Sequence, residues 1–166
     1  LTTQPVPEGR LVELDAMTLR GRVTDYAFTQ DTICHFCWDK REALWRQRLA
    51  EAAAHPGALY GLSNVIKGGP RADDCATLQY LACFHPDAGG TETPLVEIAV
   101  EKQTYLHFSF NGEAQQFADF IKLIYEHALP TAGAVRRDGY DIERIDPQRF
   151  SASRSGRIDY YVPVLI

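Results

Sequence analysis

No apolar run in this chain approaches the roughly 20 residues that a membrane-spanning helix needs. Basic residues are in the minority, with 17 Lys and Arg against 22 Asp and Glu and a formal net charge of −5. An acidic surface repels phosphate backbones, and the chain has no Lys/Arg-rich run and no helix-turn-helix pattern. It is therefore not expected to bind nucleic acid by itself. Catalytic signatures are missing as well: there is no G-x-S-x-G elbow, no P-loop and no G-x-G-x-x-G. None of the histidines (His35, His55, His85, His107, His127) falls into H-x-x-x-H or H-x-x-E-H spacing. Cysteine is scarce. Cys34 and Cys37 have C-x-x-C spacing, but Cys75 and Cys83 do not, and no strand–C-x-x-C–helix context surrounds the first pair. Reduced, mostly buried thiols are the expectation, with no metal and no cofactor. The first ten residues are polar and proline-containing and do not read as a signal peptide. A cytoplasmic location without a membrane partner is expected.

What is present fits one domain over residues 1–166. A chain of 166 residues can bury roughly two-thirds of its unfolded surface. Its 45% hydrophobic and 23% charged residues make a stable core available without cross-links. A first strand is expected over 11–26, bent near Gly21. A helix is expected over about 40–54, with Asp39 as N-cap and Leu44, Trp45, Leu49 and Ala52 at helical spacing. Strands follow at 59–66 and 77–84, separated by the loop 67–74. The pattern recurs with strands at 95–100 and 103–110, a turn at Asn111-Gly112 and a helix over about 113–127 that stops before Pro130. A loop at 133–139 and strands at 140–145 and 157–165 close the chain. Two β-α-β-β-like halves of this kind give an α+β fold, an antiparallel sheet with both helices on one face.

Aromatics occupy many of the expected strand positions: Tyr60, Tyr80, Tyr105, Phe108, Phe110, Tyr140, Tyr160 and Tyr161. Phe36 and Trp38 precede the first expected helix, and Trp45 lies on it. For a single ring, core packing is the simpler reading. The abundance of tyrosine, with an apolar body and a polar tip, points toward a cleft that stacks flat ligands. In Tyr140-Asp141-Ile142-Glu143-Arg144-Ile145, period two places Asp141, Glu143 and Ile145 on one face and Ile142 and Arg144 on the other. The pattern does not say which face is buried. Composition alone favours a solvated Glu143 paired with Arg144 or Arg157. A buried glutamate would instead await a cation, because burial disfavours the lone anion.

Several local strings, taken in order, resemble the GyrI-like or AraC effector-binding domain family. Leu11-Val12-Glu13-Leu14 is similar to its opening strand, Leu44-Trp45 to its helix, and Leu59-Tyr60-Gly61 and Tyr80-Leu81-Ala82 to its next two strands. Gln103-Thr104-Tyr105, with Phe108 and Gly112, resembles its central segment. Ile124-Tyr125 through Leu129-Pro130, Ile142-Glu143-Arg144-Ile145-Asp146-Pro147 and Tyr161-Val162-Pro163-Val164 resemble its closing motifs. The resemblance implies a duplicated βαββ fold with two long helices on one face of the sheet and a ligand cleft between the halves, here without a DNA-binding domain. It also implies a pocket-floor glutamate at Glu143, with Tyr80, Trp45 and Tyr105 as pocket residues. Cys83, Gln103, Ala128 and Ile145 depart from the usual motifs and alter the shape of any pocket.

The expected function is small-molecule binding, with a cationic or amphipathic aromatic ligand held by Glu143, Tyr80, Trp45, Trp38, Phe36, Tyr60, Tyr105 and Ile145. Such binding would serve multidrug sensing or sequestration linked to transcription regulation. Two alternatives remain open. One is a hydrolase of strained electrophiles, with Glu143 activating water and Tyr80 or Tyr105 donating a hydrogen bond. The other is a protein-interaction or inhibitor module, which includes self-association as a homodimer.

Overall fold

The computed structural model describes residues 4–29, 59–66, 75–84, 96–113, 116–146 and 155–165. In chain order these form β1 (Arg10–Leu14), β2 (Met17–Thr29), β3 (Leu59–Ile66), β4 (Cys75–Phe84), β5 (Val96–Val100) and β6 (Gln103–Glu113). Then come α1 (Phe117–Leu123), a wide helical turn (Ile124–Ala128), α2 (Leu129–Thr131), β7 (Val135–Arg136), β8 (Asp141–Ile145) and β9 (Ser155–Leu165). The main sheet runs β1-β6-β9-β8-β3-β4-β2-β5, with β7 attached to β9. Every pairing is antiparallel.

One ladder ties the two ends of this order together. β1 pairs with β6 from Arg10↔His107 to Leu14↔Gln103. The same register resumes, without a slip, between β2 and β5 from Met17↔Val100 to Gly21↔Val96. Only Asp15-Ala16 and Glu101-Lys102 interrupt it. The expected single first strand over 11–26 is therefore two strands, broken at Asp15-Ala16. The sheet curves as a result. Leu19 of β2, Ile98 and Val100 of β5, Leu62 of β3, Tyr105 of β6 and Ile142 of β8 pack into one buried cluster, with Val12 and Leu14 of β1 against it.

The opposite face of β6, β9 and β8 is covered by helix. Phe117, Phe120, Ile124, Ala128 and Leu129 recur at three- and four-residue spacing and bury against Phe108, Phe110, Ile158, Tyr160 and Val162. Phe110 lies 5.3 Å from Phe117 and 5.1 Å from Phe120 between ring centroids, and Phe117 meets Tyr160 edge-on at 5.8 Å. β6, β8 and β9 thus have one side under helix and the other toward the strand-on-strand cluster.

Three local expectations are corrected. The helix does not stop before Pro130, which lies inside α2. In a regular helix the proline ring would collide with the carbonyl four residues back. Here the wide turn precedes it, with the Leu129 N–H donating to the Ile124 carbonyl five residues earlier. Asn111-Gly112 is no turn: both residues stay in β6, paired with Arg157 and Gly156. A Cβ on Gly112 would stand 2.9 Å from Gln116 Oε1, the movable end of an exposed side chain. The expected loop at 133–139 contains β7, whose Val135 and Arg136 pair with Leu165 and Val164. The helix expected over 40–54, and the Cys34/Cys37 pair, lie outside the described residues. No helix among the described residues is long and apolar enough to cross a membrane.

Candidate functional site

β8 is buried on both sides, and its alternation decides which carboxylate goes where. Asp141, Glu143 and Ile145 stand on the helix-covered face, level with Tyr160 and Ile158 of β9. Ile142 and Arg144 take the other face. Glu143 is 0% exposed, so the solvated state paired with Arg144 or Arg157 is not what forms. Arg144 projects from the opposite face, and Arg157 bonds Asp159. Directly across from Glu143 stand Tyr160 on β9 and Gly61 on β3. Gly61 brings no side chain to that face.

Asp141, two residues before Glu143 on the same face, gathers three partners from three other elements. Tyr125, in the wide helical turn, donates its hydroxyl to Asp141 Oδ2. Tyr160 donates to the same oxygen at 2.6 Å, and Arg136 Nε donates to Oδ1 at 3.0 Å. Arg136 also donates to the Tyr125 hydroxyl at 3.1 Å and to the Gly139 carbonyl at 2.8 Å. Burial pushes the Tyr125 phenol far above its usual range, and the charge of Asp141 pushes it further the same way. Burial would lower Arg136, but Asp141 and Tyr125 outweigh it and hold the guanidinium charged. Both carboxylate oxygens of Asp141 are therefore engaged.

Ser63 pairs with Asp141 across β3 and β8 and is buried. Its Oγ has no hydrogen-bond partner among the described residues. Tyr80 of β4 is the register partner of Ser63, which places it in the same row as Asp141.

The structure divides the expected site residues between the two faces. Ile145 lies with Glu143 and packs in the helix-side cluster. Tyr60 and Tyr105 belong to the opposite face, where Tyr105 is fully buried and Tyr60 packs against the strand-on-strand cluster. They are not brought together with Glu143. Phe36, Trp38 and Trp45 lie outside the described residues. Sequence reasoning grouped Asp141 with Glu143 but gave it no role, and it missed Tyr125, Arg136 and Ser63. Gly61 stood in the Tyr60-Gly61 string without a stated reason.

On the other face His107 stacks on Tyr161 at 4.7 Å and bonds Asp159 at 2.8 Å. Arg157 Nη2 donates to the same Asp159 oxygen at 3.0 Å. Burial would raise the Asp159 carboxyl, but His107 and Arg157 reverse this and hold it below the usual carboxylate value. No group of three or more potential metal ligands occurs among the described residues.

A curved antiparallel sheet with helix laid over one face is the architecture of GyrI-like effector-binding domains. The chain belongs to the Cass2 family of integron-associated effector binding proteins, whose model matches residues 10–164. An integron cassette protein from the mobile metagenome of Vibrio cholerae is similar in structure, with a TM-score of 0.66 at 18% identity, over 95% of this chain and 96% of that one. The protein SAV2435, solved bound to tetraphenylphosphonium, matches with a TM-score of 0.62 at 15% identity, over 95% and 94%. In sequence, the transcriptional regulator Rob of Salmonella typhimurium is 27% identical over 142 residues, 86% of this chain and 49% of that protein. BrlR of Pseudomonas aeruginosa is 27% identical over 158 residues, 93% of this chain and 54% of that protein. The chain thus spans about half the length of these curated relatives.

Proposed function

We infer that this chain is a small-molecule-binding module that takes a cationic or amphipathic aromatic compound against Glu143, in the service of drug sensing or sequestration linked to transcription regulation. In this reading the fold is a duplicated βαββ unit with two long helices and a cleft between its halves. The pairing order supports it: β2-β4-β3 recurs as β6-β9-β8, with β5 added to β2 and β1 to β6. The observation that carries the proposal is the complete burial of Glu143 opposite a glycine. Withdrawing a carboxylate from water costs several kcal/mol. A cation beside it would offset that cost, and glycine at position 61 adds no side chain of its own to exclude flat aromatic groups. The kinship with effector-binding domains and the tetraphenylphosphonium carried by SAV2435 point the same way.

The test uses two ions of one shape and opposite charge. Tetraphenylphosphonium should quench tryptophan fluorescence with micromolar affinity, and tetraphenylborate should bind at least about a hundredfold more weakly. Equal affinity for the two ions would remove the carboxylate from the site.

A further inference from the structure

We propose that Ser63 is a second ligand anchor beside Glu143, and that the site is built for protonated amines rather than for cations without N–H groups. The inference rests on the preceding reading of Glu143 and specifies the class of cation it receives. Ser63 and Gly61 alternate along β3 onto the face that carries Asp141 and Glu143. Glu143 is level with Gly61, and Ser63 stands one diagonal step away. Diagonal neighbours in an antiparallel pair lie about 7–8 Å apart at the backbone. A glutamate side chain leaning toward Ser63 across that spacing could share one ammonium group with the hydroxyl, with each oxygen about 2.8 Å from the nitrogen.

The group directly opposite the Ser63 hydroxyl, Asp141, is already engaged by other donors and does not bond it. Both oxygens of Asp141 are taken, Oδ2 by Tyr125 and Tyr160 and Oδ1 by Arg136. Ser63 Oγ is buried and makes no hydrogen bond among the described residues. A buried hydroxyl left without a partner is costly and calls for an explanation. Glycine at position 61 itself puts no side chain between the hydroxyl and Glu143. A protonated amine would donate one N–H to the Glu143 carboxylate and another to Ser63 Oγ. A phosphonium or quaternary ammonium could lie beside the Glu143 carboxylate but would give Ser63 no N–H.

The experiment compares protonated triphenylmethylamine with tetraphenylphosphonium, two aromatic propellers that differ in having N–H donors. Calorimetric titrations are run on the wild type, Ser63→Ala, Ser63→Thr and Glu143→Gln. The wild type should prefer the ammonium. Ser63→Ala should weaken ammonium binding about tenfold and leave phosphonium binding unchanged. Ser63→Thr, which keeps the hydroxyl, should restore the preference. Ser63→Ala should fold at least as well as the wild type, since the hydroxyl has no partner to lose among the described residues. If Glu143→Gln weakens both cations but Ser63→Ala weakens both equally or neither, the anchor is refuted and the glutamate site stands. If Glu143→Gln changes neither, both fall.

Discussion

Two aspartates on neighbouring strands show how a single side chain organises each face. Asp141 turns inward under the helix and holds Tyr125, Tyr160 and Arg136, which come from the helical turn, β9 and β7. Period-two alternation makes its grouping with Glu143 and Ile145 legible in the sequence, but not which face of the strand is buried. Its partners were not legible. Arg136 and Tyr125 reach it from separate elements, and nothing in their local sequence marks a shared acceptor. Asp159 turns outward to His107 and Arg157, and it yields a pH prediction. Its carboxyl is held below the usual value in the folded chain, so the folded state binds fewer protons there than the unfolded state. Its stabilising contribution is therefore complete above the unfolded value of about 3.9 and is lost as the pH falls through the lower folded value. Urea unfolding of the wild type and Asp159→Asn should show a stability gap at pH 7 that closes as the pH falls below about 4. A gap independent of pH over that window would mean that the charge is not what matters.

The helix is the element most altered by context. Its apolar spacing was plain in Phe117, Phe120, Ile121 and Ile124, and the structure packs that stripe onto β6 and β9. Its end was not plain, because Pro130 is an ordinary stop signal. The wide turn at Ile124–Ala128 lets the helix run past it and also presents Tyr125 to Asp141. The true stop is Gly133, at a φ of 63°. Its N–H donates to the Pro130 carbonyl at 3.1 Å, and the Ala134 N–H donates to the Leu129 carbonyl at 3.1 Å. This pair of bonds closes the helix end and needs a left-handed residue between them. Gly133→Ala should therefore cost about 1–2 kcal/mol, read as a lower urea midpoint with an unchanged slope. A Cβ there would meet nothing within 4 Å, so any loss comes from the backbone alone. An unchanged midpoint would show that this cap does not hold the helix end. The strands were easier to read. The range 59–66 matches β3 at both ends, where Leu59-Tyr60 opens the strand and Val65-Ile66 closes it. Asn111-Gly112 failed as a turn because β9 continues alongside it as far as Ser155 and holds both residues in the ladder.

At the scale of the molecule, the shared register of the β1/β6 and β2/β5 pairings explains why one sheet has two cores. Its curvature closes one face on itself, while helix closes the other. The aromatic residues divide accordingly: Phe108, Phe110 and Tyr160 go under helix, and Tyr105, Tyr60 and Tyr161 go to the strand-on-strand side. The sequence could not foretell that division, because alternation assigns faces only within a strand. Which face of one strand joins which face of the next depends on register between distant segments. The family resemblance, spread over nearly the whole chain, carried more: it singled out Glu143, which lies fully buried on the helix-covered face. The most direct check is a calorimetric titration of tetraphenylphosphonium into the wild type and Glu143→Gln, with thermal melts run alongside. Loss of the charge should weaken binding at least tenfold, about 1.5–3 kcal/mol, without lowering the melting temperature. Identical affinities in two folded proteins would contradict a ligand-binding role for this carboxylate.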